Sequence, residues 1–491
     1  MTSGPLIRGA NGACACGHPL GASAALEVSL AGGNAVDAAV AAAAALAVVL
    51  PEACGVGGEA MLLIAPEGRD VVAVNGVGRA PAALKEAIAS DGGGTVAVPS
   101  AVAAWLDALD SFGRLDPGHV LAPAVRLADR GAPLATGTFT ALQEQRARLE
   151  RGAPGYPLLS TRLAPGSVVR HPELAATLRR VAVEGRDAIY TGDLAAAIVR
   201  AVERDGGMLA AADLRDHTTA IGGALTAARM GLDITVQPPG SQAALALMAL
   251  GAVERYAPSP GADRLHAAVE ALEAAFEYRD RLGEGSPVAD LLELPLEIDM
   301  SRARRRGGPR SYAHTTAITT ADDEGTIVSM LVSVFDDFGA ALLVPEGGFL
   351  LNDRLLGFTQ PPNHPAPRKS PVSTLSPILV DDGASRMAMA TPGADGQVQT
   401  LVQVCLLVAD GMPLTGALDA ARFRSVDGRL ALEEGMAAEH RDALTAKGHD
   451  VWSLAAGDAR FGAVAAAGVD RATGSLFAAG DGRRETWAAA W

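Results

Sequence analysis

Between Ala35 and Leu50 the chain is built almost wholly of alanine, valine and leucine, is broken by one charge at Asp37, and is stopped by Pro51. The run is shorter than the ~20 strongly apolar residues that a membrane-spanning helix needs, and alanine is only weakly apolar. A helix buried inside a protein is the reading that remains. The rest of the sequence agrees with it, since 49% of residues are hydrophobic while only 4% are aromatic. A chain of 491 residues so rich in Ala and Gly has a large core closed by small side chains, as in a compact enzyme of mixed α and β structure.

The formal charge of −15 excludes a phosphate-backbone partner, because binding nucleic acid requires a basic surface. The one basic cluster, Arg302 to Arg310, reads as a solvated loop. Cys14, Cys16, Cys54 and Cys405 are too few and too scattered for a disulfide framework, and no His or Cys pair follows Cys14-Ala15-Cys16 at ligand spacing. No metal and no cofactor is therefore expected. Met1 to Gly12 lacks the basic and apolar regions of a secretory signal, so the expectation is a soluble, cytoplasmic protein that makes no use of a membrane.

Along the chain, Gly21 to Leu50 reads as two helices parted by Ala31-Gly32-Gly33-Asn34, a turn able to supply positive φ. The loop Gly55-Val56-Gly57-Gly58 marks a close backbone approach before a strand at Ala60 to Ile64. Pro99 to Tyr278 reads as a mainly helical cover, with Val102 to Leu109, Ala122 to Arg130, Pro172 to Val183, Leu194 to Arg204 and Ala262 to Tyr278 its clearest pieces. Strands are expected at Thr315 to Ala321, Ile327 to Val334, Pro377 to Val380 and Met387 to Ala390, with a helix–strand alternation after Val402. No linker or repeat divides the chain, which points to one domain over 1–491.

The chain has no Gly-x-Ser-x-Gly elbow and no His-Glu-x-x-His helix, so its chemistry has to come from another source. Ser311 to Thr320 places the pair Thr315-Thr316 at the head of a strand, just after a Gly/Arg/Pro-rich loop. Alone, that is a strand rich in threonine. Its setting is more specific. His18-Pro19-Leu20-Gly21-Ala22-Ser23, then Gly32-Gly33-Asn34-Ala35-Val36-Asp37-Ala38-Ala39-Val40, the Gly55 to Gly58 loop, Val98-Pro99-Ser100, Leu121-Ala122-Pro123-Ala124, Tyr190-Thr191-Gly192-Asp193-Leu194 and Gln237-Pro238-Pro239-Gly240-Ser241 follow one another in the order seen in a known family. Over almost its full length the chain resembles the γ-glutamyltransferase family, most specifically in the Gly-Gly-Asn-Ala-Val-Asp-Ala-Ala run.

The resemblance implies an α+β fold of the N-terminal-nucleophile hydrolases, an αββα sandwich of two stacked antiparallel sheets between helical layers. It implies that a precursor cuts its own bond between His314 and Thr315, leaving a large subunit of residues 1–314 and a small subunit of 315–491. Thr315 is then the nucleophile. A free α-amino group, with an unperturbed pKa of about 7.7–8.0, can take the proton of its own hydroxyl, so no catalytic histidine is needed.

By the same resemblance, Ser333 supports the nucleophile, the backbone of Gly393 and Ala394 forms the oxyanion hole, and Ser373 and Thr374 hold a substrate carboxylate. The departures bear on specificity. An arginine that grips the γ-glutamyl carboxylate in transpeptidases is matched by Val77, with Arg79 two positions later, and the residues that hold the α-amino group are matched by Phe335 and Gly357. Arg354, standing where an amide is usual, either receives an acidic substrate group or pairs with a neighbour such as Asp353. Arg79, Arg354 and Phe335 are accordingly candidate substrate-binding residues, and the pattern looks like the family's divergent amidohydrolase branch.

The expected activity is hydrolysis of an amide (C–N) bond in a small acidic or oxo-acid substrate through an acyl-threonine. A second reading keeps the nucleophile and cuts a C–C bond beside a carbonyl in natural-product biosynthesis. A third, from another class, is a non-catalytic relative acting as a binding protein. The partners expected are a small-molecule substrate, the two subunits of one precursor and, in a homodimer, a second copy.

Overall fold

In the computed structural model, which describes residues 4–85, 88–160, 162–304, 306, 309 and 315–491, Ala35–Val49 is a helix whose every residue is buried. The turn before it explains the Gly-Gly-Asn-Ala-Val-Asp run. Gly32, with φ of 96°, follows the helix Pro19–Leu30, and a Cβ on Gly33 would lie 2.9 Å from the Val28 carbonyl oxygen. Asn34 Oδ1 then accepts the N–H groups of Val36 and Asp37 at 2.9 and 3.1 Å, while the Asp37 carboxylate accepts that of Asn34 at 2.8 Å. This reciprocal cap satisfies N–H groups that a helix start would otherwise leave bare. Asp37 also accepts from the N–H groups of Arg114 at 2.9 Å and Leu115 at 3.3 Å. The one charge in the apolar run is thus a buried acceptor that ties the start of its own helix to the loop at Arg114 and Leu115.

The protein is layered around two seven-stranded sheets. The first runs, in spatial order, Trp487–Ala490, Gly12–Cys16, Thr316–Asp322, Ile327–Ser333, Glu59–Ala65, Val72–Gly76 and Ala220–Gly223. The second runs Ile7–Gly9, Leu476–Gly480, Ala465–Asp470, Ser385–Ala390, Ile378–Asp381, Leu232–Val236 and Leu225–Arg229. All their pairings are antiparallel. Between the sheets lie mostly small residues, including Ala13, Ala317, Ala388 and Ala467, with Leu63 and Leu331 filling the wider places. Such side chains let two sheets interdigitate closely. Ser329 Oγ donates to the Met389 carbonyl at 2.8 Å and pins one sheet to the other.

On its outer face the first sheet carries the helices Pro19–Leu30, Ala35–Val49 and Ala101–Phe112; the second carries Ala244–Tyr256, Ala262–Phe276 and Gly396–Ala409. The result is the αββα arrangement. Among the described residues no helix is long and apolar enough to cross a membrane.

The expected helices and strands of the patterned segments are present, but Pro99 to Tyr278 is not simply a helical cover. Ala220–Gly223 closes one edge of the first sheet, and Leu225–Arg229 with Leu232–Val236 closes one edge of the second, so the chain passes between sheets at Ala224. Ala220–Gly223 is four residues long, half glycine and wholly exposed, and so carries little of the alternation by which strands are recognised. Leu232–Val236, by contrast, alternates apolar and polar residues as Leu-Asp-Ile-Thr-Val, a strand signal that the helical reading of this stretch passed over.

Candidate active site

Thr315 stands immediately before the central strand Thr316–Asp322 and is 3% exposed. The neighbouring strand, Ile327–Ser333, runs antiparallel with Thr316 opposite Val332, which brings its last residue, Ser333, across from Thr315. The Thr315 hydroxyl donates to Ser333 Oγ at 3.3 Å, and Ser333 Oγ accepts the N–H of Phe335 at 2.9 Å. Phe335 has φ of 83°, a region that bulky residues seldom enter, so the chain turns sharply after Ser333. His314, the other half of the expected cleavage bond, lies outside the described residues.

The glycine loop fixes this corner. A Cβ on Gly58 would stand 2.3 Å from the Ser333 carbonyl oxygen, and one on Gly57 2.0 Å from that of Leu350. The close approach expected from the glycines is therefore against the strand that ends in Ser333.

One strand further on, Glu59 pairs in register with Ser333. Its carboxylate is buried. Glu59 Oε1 accepts from Arg354 Nη2 and from Ser373 Oγ, the latter at 3.4 Å. Arg354 is 1% exposed, and its guanidinium carbon lies 4.3 Å from the centre of the Phe335 ring, a cation–π stack. Of the two fates open to Arg354 in the sequence, the structure shows pairing with an acidic neighbour, and that neighbour is Glu59 and not Asp353. Asp353 Oδ1 instead accepts the Asp336 N–H at 3.0 Å, and Arg148 stands 3.9 Å from Oδ2. Burial pushes the Glu59 carboxyl above its ordinary range, opposed by the neighbouring guanidinium. Burial and the charge of Asp336 push Asp353 up to about 8.

Glu59 was not singled out in the sequence. Its signal was a lone carboxylate opening an otherwise apolar strand, directly after Gly57-Gly58.

The remaining expected residues meet through Gln242, likewise overlooked. Its Nε2 donates to the carbonyl oxygens of Thr374 and Ala394, each at 3.2 Å, joining the Ser373-Thr374 loop to the Gly393-Ala394 turn. Gly393 and Ala394 have φ of 124° and 48°, and Arg424 donates to the Gly393 carbonyl at 3.0 Å. Arg79 lies apart from this network, half exposed, with its Nη2 3.3 Å from Glu284.

Cys14 and Cys16 are free and buried. Among the described residues the one grouping with metal-ligand spacing is His266, Glu270 and His449. The two rings bond each other at 2.8 Å, His266 Nε2 meets the Asp299 carbonyl at 2.8 Å, and Glu270 accepts from Arg304 and Arg306. That knot is closed by its own hydrogen bonds. Two cavities of about 260 and 270 Å³ lie elsewhere, lined by none of the site residues.

The family model for gamma-glutamyltranspeptidase matches residues 21–491. The chain belongs to the γ-glutamyltransferase family. Among its relatives, the oxamate amidohydrolase proenzyme of Klebsiella pneumoniae is 31% identical over 89% of this chain and 90% of that protein. The acylase ACY 1 proenzyme of a Pseudomonas species, strain SE83, is 30% identical over 90% of this chain and 88% of its own. The crystal structure of a cephalosporin acylase from Bacillus halodurans superposes with a TM-score of 0.91 at 27% identity, covering 99% of this chain and 97% of that one. A family member with this fold and these relatives is an N-terminal-nucleophile hydrolase acting on amide bonds.

Proposed function

We propose that the chain cuts itself before Thr315 and that the released Thr315 hydrolyses an amide of a small acidic or oxo-acid substrate through an acyl-threonine. The observation that carries this reading is the buried Thr315 hydroxyl held against Ser333 Oγ, one strand from the Glu59–Arg354 pair. In the precursor, Thr315 Oγ1 attacks the carbonyl carbon of His314. The peptide nitrogen leaves as the new α-amine, and water opens the resulting ester to separate residues 1–314 from 315–491.

In turnover the α-amine accepts the hydroxyl proton as Oγ1 attacks the substrate carbonyl. The Gly393-Ala394 backbone stabilises the oxyanion. The substrate amine departs with the proton, and water, deprotonated by the same α-amine, releases the acid. Ser373, Thr374 and Arg354 orient the acyl group. The likeness to an oxamate amidohydrolase supports the choice of a small oxo-acid amide. The test is product analysis of the purified protein with oxamate and with short-chain acyl amides, beside Thr315→Ala. Thr315-dependent release of ammonia or amine is expected; turnover that persists in Thr315→Ala contradicts the reading.

A further inference from the structure

Three polar atoms beside the nucleophile are buried without a hydrogen-bond partner among the described residues: Arg354 Nε, Arg354 Nη1 and Glu59 Oε2. Both side chains are almost wholly enclosed, at 1% and 2% exposure, and they already bind each other through Arg354 Nη2 and Glu59 Oε1. Buried donors and acceptors left open in this way are costly unless something arrives to use them. The guanidinium is further fixed by the Phe335 ring on one face and by Gly357, where a Cβ would come within 3.2 Å of Nη1. The two open donors are thus held in place.

The charge balance of this pair sets a condition on the donor. Arg354 and Glu59 together are neutral. A substrate carboxylate taking the open N–H groups of Arg354 would leave a net negative charge on side chains that are almost wholly enclosed, beside a second carboxylate. Buried groups in that position neutralise instead of staying charged. Resting on the acyl-Thr315 reading for the location of the site, we propose that Glu59 and Arg354 form one subsite that admits an anionic acyl donor only together with a proton taken up by Glu59. The exchange balances. The donor carboxylate takes the open Nε and Nη1 groups of Arg354, a proton from solvent bonds to the Glu59 carboxylate, and the subsite is neutral before and after. Protonated Glu59 then has a hydrogen to donate, to the incoming carboxylate or to Ser373 Oγ. Glu59 is in this sense a specificity-determining residue.

Direction and neighbours are consistent. Burial already moves the Glu59 carboxyl above its usual range, so uptake starts from a favourable position. The groups around it are Arg354 from the short turn Arg354–Gly357, Ser373 from the loop before the strand Ile378–Asp381 and Ser333 on the adjoining strand, with the Thr315 α-amine of the cut protein two strands away. Asp353, Asp336 and Arg148 lie behind the Arg354 turn.

The probes are oxalate, malonate, succinate and glutarate, binding to the full mature protein and to Glu59→Gln by calorimetry between pH 5 and 9 in buffers of different ionisation enthalpy. For the wild type we expect about one proton taken up per dicarboxylate, and affinity that falls about tenfold per pH unit above the titration of free Glu59. In Glu59→Gln the uptake and the slope that belong to Glu59 are lost, and the pH dependence that remains is that of the probe's own ionisation and of the Thr315 α-amine. Wild-type binding with no uptake, an unchanged slope in Glu59→Gln, or failure of all four dicarboxylates to bind would each overturn the proposal. If Glu59→Gln does not fold, the wild-type proton count alone decides. Binding needs no turnover, so these outcomes are separate from the Thr315→Ala assay that tests the nucleophile.

Discussion

The hydroxyl oxygens of Thr315 and Ser333 lie 3.3 Å apart across two antiparallel strands, and the Phe335 N–H meets Ser333 Oγ from its other side at 2.9 Å. Ser333→Ala removes one contact to the Thr315 hydroxyl and leaves the Phe335 N–H without its acceptor. A neutral hydrogen bond of this kind contributes roughly 0.5–1.5 kcal/mol, so maturation, followed as fragment appearance on denaturing gels, should slow by about two- to tenfold and not stop. An unchanged rate would remove Ser333 from the process.

Gly58 is packed so that a methyl group would stand 2.3 Å from the Ser333 carbonyl oxygen, which belongs to backbone and has little room to move. Gly58→Ala should therefore shift the end of the Ser333 strand, lowering stability by about 1–3 kcal/mol and slowing maturation more than Ser333→Ala does. Chemical denaturation and the same gel assay check both halves. A variant with wild-type stability and rate would show that the corner tolerates displacement.

Arg354→Gln takes away the counter-charge of a buried carboxylate. Breaking a buried pair in this way destabilises by roughly 3–5 kcal/mol when the remaining group stays charged. Glu59 is already shifted upward in the folded protein, and losing Arg354 shifts it further. A carboxyl raised above its unfolded value holds a proton in the folded state, so its penalty is absent below the unfolded pKa and complete above the folded one. The melting temperature should fall below that of the wild type at high pH, and the deficit should shrink on acidification. For an acidic donor, kcat/KM should drop by about ten- to a hundredfold. Equal melting curves across pH would contradict the buried pairing.

How far the sequence revealed this site depended on the kind of signal each residue carried. The turn at Gly32-Gly33-Asn34 was legible because glycine supplies positive φ, and Gly57 and Gly58 because a close approach excludes every other residue type, whereas the capping roles of Asn34 and Asp37 were not read. Thr315, Ser333, Ser373 and Ala394 came from motif likeness, and their joining through Glu59 and Gln242 is a tertiary fact. The partner of Arg354 was open between a substrate and Asp353 because sequence distance conceals that Glu59 lies beside it. In the same way Ala220–Gly223 was missed as a strand, since its position is set by the edge it closes and not by its own residues.

Asp353 is pushed up to about 8 by burial and by Asp336, far above its unfolded value of about 4. The folded state then retains a proton that the unfolded chain releases, so the Asp353 contribution to stability declines as pH rises from about 4 to about 8. Asp353→Asn should remove that contribution, so that the difference in unfolding free energy between variant and wild type changes in favour of the variant across this range, as measured by denaturant unfolding at several pH values. A difference that does not change with pH would assign the titration to another group.

The most direct test is intact-mass measurement of purified protein after prolonged incubation. The wild type should resolve into two fragments, one ending at His314 and one beginning at Thr315, while Thr315→Ala should stay a single inactive chain and Thr315→Ser should cleave in part. A wild type that remains whole, or one that gains its new N-terminus at another residue, would contradict Thr315 as the self-released nucleophile.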